Sequence, residues 1–381
     1  MPASRGPARA ARGRRARALA LALLLALGGP ACKGSAPPPR VPTAAEAGSE
    51  QVVVNYAPPK LRVLPIASPP EPGAGPAEAR YLILGSERPG LPAVFRPLGV
   101  TERKAPIGAA SRAGSLAWVD GHVVEVAPPA AGAGAADTLT LQVFDRDAKV
   151  PRPRAVAIGC SAHGQPLLAS DSTTLWALVR CGGAAIVLTL DGEGGVRARR
   201  EVPGGGEAEL FLPSGEDFYV LAGSKVLRSA PGGPPAIGSV PGRGGSSETR
   251  ELVRAGELLL VLDGAAGRVS ALDAAGLGAR YEQRFVSGGP ISRLRAAASG
   301  DRLIIVWAEP RAGEQSELVA LALPLSAPGD RAPQRILLGS GPQTSDHELV
   351  PVPPADGGGA LLVRTHASNT GPLVALLHVK L

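Results

Sequence analysis

Three cysteines and five histidines are the residues of this 381-residue chain with the widest choice of nucleophilic, redox or metal chemistry. None of the histidines lies in a metal-binding spacing such as H-E-x-x-H. The chain also lacks a G-x-S-x-G nucleophile turn and a phosphate-binding P-loop. We therefore expect no metal site and no cofactor, and the sequence leaves any catalytic residue unknown. The histidines are His122, His163, His347, His366 and His378.

Two short acidic segments resemble fragments of a calcium-binding loop. They are Asp145-Arg146-Asp147 and Asp191-Gly192-Glu193-Gly194-Gly195, and neither contains the full series of ligands. Both lie between predicted strands, where Asp and Gly are typical turn residues, so we interpret them as turns. A catalytic site formed by carboxylates from separate repeats is an alternative, because it would leave no contiguous motif.

Cys160 and Cys181 are each ten residues from the nearer residue of the Ser170-Asp171 step. The flanking segments are apolar, which predicts a hairpin that turns at this step. Antiparallel pairing would place the two cysteines opposite each other. We predict a disulfide that closes a loop of about 20 residues and stabilises the fold by roughly 3 kcal/mol. Such a bond is typical of proteins outside the cytoplasm; two separate buried thiols are the alternative.

Cys32 follows a leader with an Arg-rich start, a ten-residue apolar run from Ala18 to Leu27, and the small residues that end at Ala31. The run is too short to span a bilayer and is typical of a signal peptide. This arrangement resembles a bacterial lipoprotein signal, in which the cysteine becomes the lipidated first residue. Gly29 differs from the Leu usual in that family, and cleavage of an ordinary secretion signal after Ala31 is the alternative.

The resemblance implies three parts of the chain. Residues 1–31 form the signal peptide, residues 32–50 form the lipidated Cys32 and a disordered, Pro-rich tether, and residues 51–381 form the folded domain. The expected location is the cell envelope, anchored through the lipid to the extracytoplasmic side of the inner or outer membrane. With Cys160 and Cys181 bonded to each other, Cys32 is the cysteine left over, which also suits a lipid anchor.

The formal charge of +7 belongs mostly to the leader. Six of the 40 basic residues and none of the 33 acidic ones precede Cys32, so the remaining chain has 34 basic residues and a net charge of +1. Aromatic residues make up only 3 % of the chain. This composition argues against a nucleic-acid partner and against a platform of stacked rings.

The rest of the chain is rich in Gly and Pro and has no long segment of helical periodicity. A unit of four strands, the last of which tends to end at a glycine such as Gly159, recurs about every 46 residues, a spacing typical of a β-propeller. We predict an all-β fold of seven blades with four antiparallel strands each; six or eight blades also fit the spacing. Val52-Val53-Val54 is expected to complete the last blade. The predicted second strands are Tyr81-Leu84, Leu116-Val119, Leu175-Leu178, Phe218-Leu221, Leu258-Val261, Leu303-Val306 and Leu361-Val363.

These repeats resemble bacterial β-propellers in general, over about residues 60–381. They lack the Gly-His and Trp-Asp marks of WD40 repeats and the repeated tryptophan motif of quinoproteins. Trp118, Trp176 and Trp307 lie in three of the predicted second strands, where packing between blades is the expected role. We hypothesise a binding or scaffold module with a protein partner. The alternatives are a hydrolase or lyase that acts on envelope polymers, a binder of a small ligand or quinone cofactor, and a plain secreted propeller.

Overall fold

The structure is a computed structural model, and the residues it describes belong to one compact unit, Val41–Leu381. For residues 50–106 only the backbone is described. Cys32, the leader and the tether lie outside the described residues. The described ranges are 50–54, 62–66, 80–88, 91–95, 105–106, 116–119, 122–126, 136–145, 152–170, 174–241, 247–313, 315–326, 333, 335–342, 347–351, 359–368 and 371–379.

Nearly all of these residues form strands. Two short 3₁₀ helices, Gly205–Glu207 and Ser247–Thr249, connect strands. In the described part of the chain, no helix has the length and apolar character needed to cross a membrane. The strands in chain order are β1 Glu50–Val54, β2 Arg62–Ile66, β3 Arg80–Arg88, β4 Leu91–Phe95, β5 Ala105–Pro106, β6 Leu116–Val119, β7 His122–Val126, β8 Ala136–Asp145, β9 Arg152–Ser170, β10 Leu175–Cys181, β11 Ala184–Leu190, β12 Val196–Pro203, β13 Ala208–Ser214, β14 Asp217–Ala222, β15 Lys225–Ser229, β16 Ala236–Ser239, β17 Arg250–Ala255, β18 Leu258–Asp263, β19 Arg268–Asp273, β20 Ala279–Arg284, β21 Ser292–Ser299, β22 Arg302–Pro310, β23 Gln315–Pro324, β24 Arg335–Pro342, β25 His347–Pro351, β26 Ala360–Ser368 and β27 Gly371–Val379.

The strands pair into antiparallel sheets in the order of a β-propeller. Five sheets have four strands, and a sixth has seven because two successive units share β9. We number the units as blades: blade 1 is β2–β5, blade 2 is β6–β8 with the first part of β9, and blade 3 is the rest of β9 with β10–β12. Blades 4, 5 and 6 are β13–β16, β17–β20 and β21–β24, and blade 7 is β25–β27 with β1.

The first strands of the blades form the inner ring. Each contacts the first strand of the next blade, in the order β2, β6, β9, β13, β17, β21 and β25, and β25 contacts β2 again. This closed order confirms the predicted all-β propeller and is consistent with seven blades.

Apolar second strands explain how neighbouring blades hold together. In β18, Leu260 and Leu262 are buried and pack in one cluster with Leu303, Ile305 and Trp307 of β22 in the next blade. A strand that is covered on both faces is apolar on consecutive residues, which is the pattern of these second strands. The fourth strand of blade 3 faces water instead, since six of the eight residues of β12 are exposed.

The N-terminal strand closes the propeller. β1 pairs antiparallel with β27, and Glu50 and Val52 lie opposite Leu377 and Ala375. Blade 7 therefore contains both ends of the folded chain, as the isolated Val52-Val53-Val54 segment predicts. β1 is the outermost strand of this blade, so the N-terminal strand and the three C-terminal strands together complete a four-stranded sheet.

One predicted second strand was wrong. Leu116–Val119 is β6, the innermost strand of blade 2, and the second strand is β7. Trp118 is therefore not equivalent to Trp176 and Trp307, which do lie in second strands. Both strands of a short, tightly connected hairpin carry apolar residues here, so the pattern alone did not distinguish the inner one.

β9 also differs from the prediction, which ended a strand at Gly159. The strand runs without a break from Arg152 to Ser170 and changes its partner: Ala162 pairs with β8, whereas His163 pairs with β10. Gly159 and Gly164 have φ values of 75° and 70°, which L-residues with side chains rarely adopt. These two positions allow the strand to bend from the outside of blade 2 to the centre of blade 3.

Candidate functional site

A cavity of about 340 Å³ lies among the inner strands of blades 3 to 7, close to the first residues of β13, β17 and β25. We call it the channel-end cavity. Five successive inner strands, and the 3₁₀ helix before β17, supply its walls, so the ring geometry brings together residues that are far apart in sequence. The described residues that line it are Leu167, Leu168, Glu209, Leu210, Phe211, Glu248, Arg250, Glu251, Arg295 and Glu348.

The side chains of Glu209 and Arg250 join the inner strands of blades 4 and 5. The Arg250 Nη1 donates to Glu209 Oε2 at 2.7 Å. The Arg250 side chain is 1 % exposed and the Glu209 side chain 31 %. The regular pairing of β13 is interrupted between Ala208 and Leu210, an irregularity that can re-aim the intervening side chain, here that of Glu209.

A second pair joins blades 6 and 7. Arg295 Nε lies 3.4 Å from Glu348 Oε2, and both side chains are mostly buried. Beside them, His347 is 2 % exposed. Burial, and then the charges of Arg295 and Arg293, lower the pKa of His347 to about 3. His347 is therefore neutral at physiological pH and too weak a base for proton transfer there.

The described lining of the channel-end cavity has an acidic excess. Four carboxylates, those of Glu209, Glu248, Glu251 and Glu348, face the guanidinium groups of Arg250 and Arg295. Leucine and phenylalanine side chains form the rest of the described lining. None of the described lining residues is Ser, Thr, Cys or His, so a nucleophile with its base is missing from this set. The arrangement suits binding by charge and apolar contact.

Sequence analysis did not single out these charged residues, although a signal was present. The dipeptide Glu-Leu recurs at the start of three inner strands, as Glu209-Leu210, Glu251-Leu252 and Glu348-Leu349. The aligned repeats thus place a carboxylate at the same point of blades 4, 5 and 7. The second strands carry a stronger apolar pattern, which dominates the repeat in the sequence.

Cys160 and Cys181 are joined in a disulfide with their Cα atoms 5.9 Å apart. The hairpin between them turns between Ser170 and Leu175, which pair with each other, so the loop is longer than the predicted two-residue step. Cys160 lies in the part of β9 that still belongs to blade 2, and Cys181 ends the second strand of blade 3. The disulfide therefore links two blades and is not part of the channel-end cavity. Cys32, the predicted lipidation site, lies outside the described residues.

The predicted turn at Asp191 is present. Asp191 Oδ1 accepts hydrogen bonds from the backbone N–H groups of Glu193 and Gly195, at 3.0 and 2.7 Å. His163 Nδ1 accepts one from Gly182 N at 3.3 Å, and His122 Nε2 lies 3.4 Å from Glu193 Oε1. The described residues contain no group of three or more His, Cys, Asp or Glu side chains that could hold a metal ion.

A buried carboxylate at the end of β22 was also missed. Glu309 is fully buried, and its Oε1 accepts hydrogen bonds from Trp307 Nε1 at 2.9 Å and Gly288 N at 2.8 Å. Its Oε2 accepts from Arg311 and Arg335. These donors come from β22, from β24, from the turn after β22 and from the connection between blades 5 and 6, which indicates a structural role. A charged residue directly after the apolar run Leu303–Ala308 of a second strand is the sequence signal for it.

Comparison with known proteins gives the fold and no family. No protein-family model matches the sequence, and no curated protein matches it. The solved AfRom2 CNH domain is similar over 87 % of this chain and 100 % of that chain, with a TM-score of 0.50 and 10 % identity. BBS1N, solved in complex with ARL6DN, is similar over 88 % of this chain and 96 % of that chain, with a TM-score of 0.49 and 10 % identity. The WD40 domain of SCAP from fission yeast is similar over 88 % of this chain and 98 % of that chain, with a TM-score of 0.47 and 10 % identity.

Proposed function

We propose that this chain is a membrane-anchored, extracytoplasmic propeller lipoprotein that acts as a binding module for a protein partner. The channel-end cavity is the observation that supports binding: a rigid ring directs charged and apolar side chains of five blades into one concave site. The cross-blade pairs Glu209–Arg250 and Arg295–Glu348 hold these side chains in position. The leader and Cys32 support the anchor, and the disulfide is compatible with an oxidising compartment.

Affinity isolation of the full chain from membranes, followed by mass spectrometry, tests the binding role. One protein should be enriched reproducibly with the wild-type chain and lost when Glu251→Lys and Glu348→Lys invert the charge of the channel-end cavity. Arg284→Glu is the matched control, since Arg284 is an exposed residue of the outer strand β20. Absence of any enriched protein would contradict the proposal.

Intact-mass measurement tests the anchor. The wild-type chain should begin at Cys32 and carry acyl chains, and Cys32→Ala should move the protein from the membrane fraction to the soluble fraction. A mature chain with an unmodified N-terminus would show that the protein is secreted without an anchor.

The second candidate function is hydrolysis or lysis of an envelope polymer. Carboxylates from three blades, Glu209, Glu251 and Glu348, do meet in one cavity, and paired carboxylates are the groups that cleave glycosidic bonds. Incubation of the purified chain with peptidoglycan and chromatography of the products tests this activity. A product that is formed by the wild type and lost in Glu251→Gln would favour the enzyme over the binding module.

A further inference from the structure

Arg250 has a binding edge that the fold does not use. Its side chain lines the channel-end cavity, is 1 % exposed, and donates from Nη1 to Glu209. Its Nε is buried and has no hydrogen-bond partner among the residues that the structure describes. Nε and Nη2 form the edge of a guanidinium group that donates two parallel hydrogen bonds to one carboxylate. Glu209 thus fixes the group from one side, and the Nε donor on the other side is not used by the described residues.

The walls beside Arg250 are apolar. Leu167 and Leu168 of β9 and Leu210 and Phe211 of β13 line the same cavity. A volume of about 340 Å³ corresponds to roughly eleven water molecules, which is enough for one or two amino-acid residues and too little for a folded element. A carboxylate on Arg250 would therefore lie next to a place for an apolar side chain.

The remaining charges favour a basic ligand. Glu248, Glu251 and Glu348 belong to the 3₁₀ helix before β17, to β17 and to β25, so they surround the cavity from more than one blade. With Glu209 engaged by Arg250, they outnumber the other guanidinium group in the described lining, that of Arg295. These three carboxylates would attract positive groups near the ligand carboxylate and repel negative ones.

We propose that the channel-end cavity binds the carboxyl-terminal residue of a basic polypeptide, with the α-carboxylate on Arg250 and an apolar side chain against Leu167, Leu168, Leu210 and Phe211. Lysine or arginine residues that precede this terminus face Glu248, Glu251 and Glu348. The inference rests on the proposed protein-binding function and specifies which part of the partner enters the propeller. A free amino acid shares the carboxylate chemistry, and the experiment separates the two sources.

The test uses fluorescently labelled synthetic peptides of eight residues and the purified full chain in detergent, with anisotropy as the measurement. A peptide that ends in Lys-Lys-Leu with a free carboxylate should bind. The same peptide with a C-terminal amide, or with Glu-Glu-Leu at its end, should bind at least tenfold more weakly, because one or more charge-assisted hydrogen bonds or favourable charge contacts are lost. Unlabelled L-leucine should compete only weakly.

Arg250→Gln should weaken binding of the free-carboxylate peptide at least tenfold and leave the amide peptide unaffected. Arg284→Gln is the control and should bind like the wild type. If Arg250→Gln does not fold, the comparison of the free-carboxylate and amide peptides on the wild-type chain still tests whether a carboxylate is bound. Equal binding of the carboxylate and amide peptides overturns the inference, and so does competition by L-leucine at the affinity of the peptide, which would assign the cavity to free amino acids. If either of these two results is obtained but a partner protein is still recovered from membranes, the proposed protein-binding function stands. Only the inference that a carboxyl terminus enters the cavity is then rejected.

Discussion

Arg250 of blade 5 donates to Glu209 of blade 4 at 2.7 Å, from a side chain that is almost completely buried. Arg295 and Glu348 repeat this relationship between blades 6 and 7. In both places a guanidinium group from one inner strand meets a carboxylate from its neighbour. The charges at this end of the channel therefore contribute to the ring of blades as well as to the cavity that they line.

Glu209→Ala should lower the free energy of unfolding by about 2 kcal/mol. Removal of the carboxylate leaves the Arg250 charge buried without its partner, and the partial exposure of Glu209 keeps the loss below the value for fully buried pairs. Chemical denaturation measures the change. Arg302→Ala is the control, since Arg302 lies in an exposed pair at 4.0 Å and should leave stability nearly unchanged. Equal stability of Glu209→Ala and wild type would show that the pair has no net effect.

Loss of the disulfide should lower stability by about 3 kcal/mol, since its sequence separation is 21 residues. The double variant Cys160→Ser, Cys181→Ser should unfold at lower denaturant concentration than the oxidised wild type and match the reduced wild type. Cys32→Ser, which keeps the bond, should not show this loss. A non-reducing peptide map in which Cys160 and Cys181 are separate would contradict the structure.

Deletion of residues 51–56 should remove the outer strand of blade 7 and expose the backbone edge of β27. Four residues of β1 are paired with β27, so a loss of about 3 to 5 kcal/mol is expected, at roughly 1 kcal/mol per hydrogen bond. Differential scanning calorimetry should show a clearly lower midpoint. Deletion of Pro37–Pro39, upstream of β1, is the matched control. An unchanged midpoint after the first deletion would refute closure by β1.

His347 should make the fold sensitive to mild acid. Its pKa falls from the usual 6.5 to about 3 in the folded state, chiefly through burial. Below pH 6.5 the unfolded chain therefore binds a proton that the folded chain does not, and the free energy of unfolding falls by about 1.4 kcal/mol per pH unit toward pH 3.

Denaturant titrations between pH 7.5 and 4.5 measure this slope. The charges of Arg295 and Arg293 add to the burial effect on the His347 pKa, whereas backbone hydrogen bonds with Arg293 and Val306 oppose it. His347→Asn should have a shallower slope than the wild type, whatever its stability at pH 7. His163→Asn, at an exposed position, should keep the wild-type slope; parallel slopes for wild type and His347→Asn would disprove the assignment.

The sequence predicted the architecture because each blade repeats a strong local pattern. The runs Leu258–Val261 and Leu303–Val306 are apolar on consecutive residues, and β18 and β22 are buried as expected of second strands. The pattern failed at Leu116–Val119, where a short inner strand is as apolar as a second strand. It also failed at Gly159, since a glycine marks a bend as well as a strand end.

The candidate site was harder to predict because it has no local signature. Glu209, Arg250 and Arg295 are ordinary strand residues in the sequence, and only the ring brings them to one cavity. Their pairing depends on which strands are neighbours across blade boundaries. The Glu-Leu repetition gives part of the answer from the sequence, but the burial of Arg250 and its unpartnered Nε follow from packing alone.

The shared strand β9 determines which blades unfold together in local unfolding. In blades 3 to 6 the last strand of one blade and the first strand of the next are separate strands, so local fluctuations can release one sheet alone. Residues 152–170 belong to two sheets, and the Cys160–Cys181 bond fastens the point of transition. Amide protons of blades 2 and 3 should consequently exchange with solvent in a single cooperative event, as one foldon twice the size of the others.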